Sequence, residues 1–215
     1  MKLYLSSTGV GKNPFELKLW MMDYGKKIAL IPNAYDYIKD NYVRESIIRR
    51  DKEEIEKVGF DVSVVSLSDY FNDHKKLEED LSGFHAFYVL GGNVFTLRKA
   101  MQLSSFDEYI KTKSEKFDYL YAGYSAGICV LAPTLNGLDI VDEEINPYNN
   151  DKVIYDGLSI IDYTPIPHYD SSSKEWSLLD DIICYLESEK RSYKTLSDGE
   201  SYVESVGKDK VNVKK

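Results

Sequence analysis

The chain has 215 residues, 43% of them hydrophobic and 29% charged, with a formal net charge of −9. That is enough apolar material for one domain with a packed sheet and helices on both faces. The acidic balance argues against nucleic acid or anionic membrane as a partner, because either asks for a basic patch. No run approaches the roughly 18 apolar residues of a membrane span. The start, Met1-Lys-Leu-Tyr-Leu-Ser-Ser7, has an apolar core too short for a signal peptide, so the expected location is the cytoplasm.

Taken in order, Lys2 to Thr8 alternates as a first strand, followed by the loop Gly9-Val-Gly-Lys-Asn-Pro14. That loop lacks the G-x-x-x-x-G-K-[ST] spacing of a phosphate cradle, which removes nucleotide binding. A helix is expected from Asn13 or Pro14 to Tyr24, stopped by Gly25, and then a buried strand over Lys27–Pro32. Asn33 to Val58 carries one long helical pattern, with Tyr37, Tyr42, Ile47, Ile48 and Ile55 as core contacts and Gly59 as the stop. Asp61–Leu67 is a third strand, His74–Leu81 a short solvated helix, and Phe84–Leu90 a fourth strand running into Gly91-Gly92-Asn93. A helix over Val94–Lys113 then leads to the strand that ends at Tyr124. Strands alternating with helices at this spacing predict a mostly parallel α/β sheet flanked by helices.

Beyond Pro133 the texture changes. Thr134–Gly157 is rich in Asn, Asp and Gly and reads as loop, Leu158–Ile166 as a strand region, and Ser173–Ser188 as a helix with Leu178, Leu179, Ile182, Ile183 and Leu186 on its apolar face. Tyr193–Leu196 and Ser201–Val203 read as strands joined by a hairpin turn over Ser197–Glu200, and Lys208–Lys215 as a frayed edge strand. Cys129 and Cys184 sit in apolar helical patterns and read as buried thiols. With three scattered histidines they form no ligand cluster, so no metal or cofactor is expected. The eighteen tyrosines are expected to pack amphipathically with their hydroxyls at the surface.

The stretch that organises these elements is Tyr119-Leu-Tyr-Ala-Gly-Tyr-Ser-Ala-Gly-Ile-Cys-Val-Leu-Ala-Pro133. A buried strand, a sharp turn with Ser125 at its apex and a small-residue helix make a nucleophile elbow. G-x-S-x-G alone recurs by chance about once in 3,000 windows, so the strand before it and the helix after it carry the inference. The plain alternative is a β–α turn with Ser125 capping the helix.

A serine hydroxyl needs a base, usually histidine, to become a nucleophile at neutral pH. His74 lies among charged residues and is expected in solvent, and His85 lies inside the fourth strand. His168 follows Pro-Ile-Pro at a strand end, where sites of parallel α/β folds collect. The acid that would orient its ring is open among Asp139, Asp142, Asp170, Asp198 and Glu200. An oxyanion hole would draw on the N–H of Ala126 and on the Gly91-Gly92-Asn93 loop.

Leu90-Gly91-Gly92-Asn93, the Gly123-Tyr-Ser125-Ala-Gly127 elbow with Pro133 beyond it, and Pro167-His168-Tyr169, in this order, resemble the peptidase E family of aspartyl dipeptidases, related to cyanophycinases. The resemblance covers the chain to about Val203. It implies a fold similar to class I glutamine amidotransferases, with serine in place of cysteine at the elbow. It implies further that Ser125 is the nucleophile, His168 the base, Gly92 and Ala126 the oxyanion donors, and the acid either Asp139 or Asp198 in Leu-Ser-Asp-Gly; Asp198 is the expected one, because a turn beyond the histidine can reach its far nitrogen. Aspartyl dipeptidases carry an arginine segment after the histidine. Here Tyr169-Asp-Ser-Ser-Ser-Lys174-Glu-Trp176 has none, and Lys174 lacks the bidentate fork that matches a carboxylate. The expectation is therefore a serine peptidase of short peptides, monomeric or homodimeric, with Asp-X preference not implied. An esterase or amidase of the α/β-hydrolase type, with Asp139 as acid, and a non-catalytic binding domain on the same fold are the alternatives.

Overall fold

In the computed structural model, the described residues are 1–116, 118–148, 152–169 and 178–207, Met21 and Met22 by backbone alone. The main sheet has six strands: β1 (Lys2–Ser6), β2 (Lys27–Ile31), β3 (Asp61–Val64), β4 (Ala86–Val89), β5 (Leu120–Tyr124) and β8 (Ser201–Ser205), in the order β3-β2-β4-β5-β1-β8. The first five are parallel; β8 alone runs antiparallel, on β1.

Successive side chains of a strand point to opposite faces. Leu3, Leu5, Ala29, Ile31, Phe87, Val89 and Tyr121 enter one apolar layer, and Tyr4, Ile28, Leu30, Ala86, Tyr88, Leu120 and Ala122 enter the other. Both faces are buried, as continuous apolar runs in a parallel sheet require. Helices α1 (Phe15–Tyr24) and α2 (Asn41–Val58) supply Leu17, Ile55 and Val58 to the second layer. The first is filled from α3 (His74–Leu81), α4 (Val94–Ser104), α5 (Phe106–Ser114), α6 (Ala126–Cys129) and α7 (Leu179–Ser188).

Several expectations are corrected. The helix expected over Asn33–Val58 is a 3-10 turn at Asn33–Tyr35 followed by α2. Asn33 bonds Leu67 N–H and Asp36 instead of continuing a helix, and Asp40 caps α2 by accepting from the N–H groups of Tyr42 and Val43. Tyr42, on that first turn, is 78% exposed and is no core contact. The helix expected over Val94–Lys113 divides at Ser105, in left-handed backbone with φ 62°, and a buried Arg98–Asp107 ion pair of 2.9 Å clamps α4 to α5 across the break.

Ser197–Glu200 is a turn but not a hairpin. β7 (Tyr193–Ser197) pairs in parallel with β6 (Thr164–Tyr169) in a second, two-stranded sheet, while β8 crosses to the free edge of β1. The turn therefore bridges two sheets. The start of the helix expected at Ser173 and the edge strand expected over Lys208–Lys215 lie outside the described residues. On α7, Leu179, Ile182 and Leu186 are buried, but Leu178 is 42% exposed and Cys184 is exposed; the free thiol of Cys129 is buried. The tyrosine expectation also fails in the core. Tyr4, Tyr88 and Tyr121 are fully buried, and their hydroxyls donate inward, to the carbonyls of Val10, Gly9 and Gly127. A buried phenol needs such a partner.

Candidate active site

The C-terminal ends of β1, β4 and β5 lie side by side, the edge at which parallel α/β folds collect their sites. Ser125 stands where β5 turns into α6, with φ 50° and ψ −121°. Such a conformation costs a non-glycine residue about 1–3 kcal/mol and persists only when its surroundings impose it. Here they do. The Ser125 carbonyl accepts from Ile128 and Cys129 N–H at 2.9 and 3.0 Å, and the Tyr121 hydroxyl holds the Gly127 carbonyl at 2.6 Å. A Cβ at Gly127 would stand 2.2 Å from the Val89 carbonyl oxygen, and one at Gly123 2.8 Å from the same atom. The flanking glycines thus let the elbow press against the end of β4. Tyr124 turns the other way: its hydroxyl donates to Asp51 Oδ2, a buried carboxylate on α2, at 2.5 Å, and lies 3.0 Å from the Tyr35 hydroxyl.

His168 sits within β6, where the register with β7 is interrupted, and has φ 62°. Its backbone N–H donates to Ser7 Oγ at 2.8 Å. Its ring Nε2 lies 3.0 Å from Ser125 Oγ, and its Nδ1 lies 2.8 Å from Asp198 Oδ1. A carboxylate oxygen only accepts, so the geometry assigns the proton of the neutral ring to Nδ1 and leaves the Nε2 lone pair facing the serine hydroxyl. Asp198 Oδ1 also accepts from Ser7 Oγ at 2.9 Å and Thr8 Oγ1 at 2.5 Å. Burial pushes the Asp198 carboxyl up, but the hydrogen bonds from Thr8, His168 and Ser7 outweigh it and hold the group below the ordinary carboxylate range.

The structure thus brings Ser125, His168 and Asp198 together, and gives Asp139, Asp142 and Glu200 other hydrogen-bond partners. Asp139 accepts from Gly137 N–H and lines a separate recess with Tyr155 and Tyr185. Glu200 accepts from Ser197 N–H, bracing the turn that carries Asp198. Asp142 accepts from Val94 N–H at the start of α4, and burial raises its carboxyl to about 6 against that bond. Asp170 and Lys174 lie outside the described residues. Gly92, at φ 129°, and Ala126 line the same recess as Ser125 and His168. His85 precedes β4 rather than lying in it, with Nδ1 3.0 Å from the Asp118 carbonyl and its ring stacked on Tyr119. His74 is exposed at the start of α3.

Ser7 and Thr8 are the site residues that sequence reasoning missed. They lie about 190 residues from Asp198, and two hydroxyls after a strand carry no motif. The available signal was positional: they follow β1, beside the elbow strand.

A model of peptidase family S51 matches residues 11–200. The chain belongs to this family. It is 27% identical over 150 residues to the uncharacterized peptidase Lin0382 of Listeria innocua, an alignment spanning 68% of this chain and 66% of the relative, just under two thirds of its length. It is 25% identical over 153 residues to the uncharacterized peptidase Lmo0363 of Listeria monocytogenes, spanning 69% and 68%. A crystal structure of a Listeria monocytogenes EGD-e protein provisionally assigned as peptidase E superposes with a TM-score of 0.71 at 20% identity, covering 96% of this chain and 98% of that one. A peptidase from an acI-B1 actinobacterium superposes at 0.68 and 16% identity, covering 97% and 84%. The S51 fold is therefore this chain's fold, and the peptidase E resemblance and the helix-flanked, mostly parallel sheet read from the sequence are met. The expected class, serine-type peptidase, is the class of this family. Among the described residues, no helix of this S51 chain is long and apolar enough to cross a membrane, and no three His, Cys, Asp or Glu side chains are gathered as metal ligands.

Proposed function

We propose that the protein is a serine peptidase that hydrolyses short peptides through an acyl-enzyme on Ser125. The observation that carries this reading is the unbroken line Ser125 Oγ, His168 Nε2, His168 Nδ1, Asp198 Oδ1, with steps of 3.0 and 2.8 Å, at the tip of a strained elbow. His168 Nε2 takes the hydroxyl proton as Oγ bonds to the peptide carbonyl carbon. The negative charge that develops on the carbonyl oxygen is met by the N–H groups of Gly92 and Ala126. When the C–N bond breaks, the imidazolium returns its proton to the leaving amine. Water, deprotonated by the same nitrogen, then releases the acid and frees Oγ. Asp198 keeps the ring in the required tautomer and stabilises the imidazolium without becoming protonated.

The acid in this line comes after the histidine in the chain. That arrangement supports the peptidase E reading over the α/β-hydrolase alternative, in which Asp139 would be the acid. Hydrolysis of a dipeptide panel by the wild type and by Ser125→Ala tests the reading. Cleavage lost in the variant by a factor on the order of 10⁶ is expected; cleavage at the wild-type rate in the variant would remove Ser125 from the reaction.

A further inference from the structure

Two recesses meet at Ser125 and His168, and both are also lined by Gly92 and Asp142. The outer one, about 600 Å³, is broader and more polar than the inner, with Tyr35, Tyr37, Asn93, Tyr124 and Glu143 in its walls. The inner one, about 50 Å³, runs in beside the elbow helix between Val94, Cys129, Leu138, Val141, Ile166 and Ile182. Among the described residues, no lysine or arginine lines either recess.

We propose that the inner recess receives the side chain of the residue whose carbonyl Ser125 attacks, and that it selects a small aliphatic side chain, alanine to valine in size, over an acidic one. The inference rests on the acyl-enzyme reading above and adds its substrate class. Three observations carry it. The first is position: the recess is walled by Ser125, by His168 and by the two residues read as oxyanion donors, so a side chain one bond from the attacked carbonyl has this cavity within reach. The second is chemistry. Nine of its described lining residues carry aliphatic side chains or a thiol, and the one carboxyl among them, Asp142, repels a second negative charge. An aspartyl side chain entering there would lose its hydration with no cation among the described lining residues to replace it. The third is size. A dry cavity of about 150 Å³ holds benzene, so a third of that volume holds two or three carbon atoms, and a phenyl or long aliphatic side chain does not fit.

A methylene that fits an apolar pocket is worth about 10–200-fold in kcat/KM. On that scale, Ala-X and Val-X substrates with a common leaving residue should exceed Asp-X and Phe-X by at least about tenfold in kcat/KM. Val141, half-buried, is one of its walls. Val141→Ala should raise the ratio of Leu-X to Val-X hydrolysis several-fold; if that variant does not fold, Cys129→Ala, which removes one sulfur, carries the same expectation. An enzyme that is active and Ser125-dependent but fastest on Asp-X would overturn this inference and leave the peptidase reading standing. Unchanged Leu-X to Val-X ratios in a folded, active variant would overturn it too. Hydrolysis of no peptide, with no Ser125 adduct from a fluorophosphonate, would overturn both.

Discussion

The two ends of the Ser125–His168–Asp198 line are held in opposite ways. Ser125 is fixed by exclusion: it rides on backbone pressed so closely against the end of β4 that a Cβ at Gly127 would stand 2.2 Å from the Val89 carbonyl oxygen. Asp198 is 44% exposed on a turn between two sheets and is fixed by attraction, with three donors converging on one oxygen. Steric fixation cannot be relaxed by small steps, because interiors are close-packed. Hydrogen-bond fixation can be removed one donor at a time. The elbow is therefore expected to fail by unfolding, and the acid limb by losing rate.

The sharpest separation comes from Asp198→Asn. With the carboxylate gone, the ring loses its tautomer preference, and kcat should fall by on the order of 10³–10⁴-fold. Stability at pH 7 should change by no more than about 1 kcal/mol, because the group is largely screened by solvent. The sign with pH follows from its lowered value. The native carboxylate's stabilisation is present above the unfolded pKa of about 3.9 and is lost as pH falls through the lower folded value. Urea unfolding of wild type and variant should therefore converge in strong acid. Gly127→Ala should do the reverse, costing about 3 kcal/mol of unfolding free energy because only backbone lies in the way. A folded Gly127→Ala protein within about 0.5 kcal/mol of wild type would break the comparison.

Ser7→Ala tests the joint between the two modes. The Ser7 hydroxyl accepts the His168 N–H and donates to Asp198, and the residue is fully buried. Its loss strands a buried N–H, at a cost of about 1–3 kcal/mol, and should slow turnover less than Asp198→Asn does. The smallest effect is expected at Asp142. This carboxyl is raised to about 6 by burial, the opposite of Asp198. Its folded form binds protons that the unfolded form has released, so wild-type stability falls as pH rises from about 4 to about 6. Asp142→Asn can keep the bond from Val94 N–H and should gain on wild type across that window, by on the order of 1–2 kcal/mol at pH 8. A gain at pH 4 and none at pH 8 would reverse the sign.

The same contrast explains what was legible in the sequence. Steric requirements are local, so Gly123, Ser125 and Gly127 announce themselves by spacing, and the parallel sheet follows from its apolar runs. His168 was reachable because the chain has only three histidines. Asp198 could not be separated from Asp139 by residue type, nor by the peptidase E resemblance, which offers both positions; only its place in a turn beyond the histidine, within reach of the far ring nitrogen, favours it. Ser7 and Thr8 were invisible because attraction between strand ends is set by pairing, and β1 meets the Ser197–Glu200 turn only after β8 joins its edge. That pairing also defeated the hairpin expectation. The tyrosines deceived for a related reason: a phenol's partner is a tertiary carbonyl, and composition does not show where one lies.

The central claim is that Ser125 is activated by His168. The most direct measurement is intact-mass detection of labelling by a small fluorophosphonate, followed in time for the wild type, Ser125→Ala and His168→Gln. One adduct on the wild type, none on Ser125→Ala, and labelling slowed by on the order of 10³-fold or more in His168→Gln is the predicted result. An adduct that persists in Ser125→Ala, or a His168→Gln protein that labels as fast as the wild type, would contradict it.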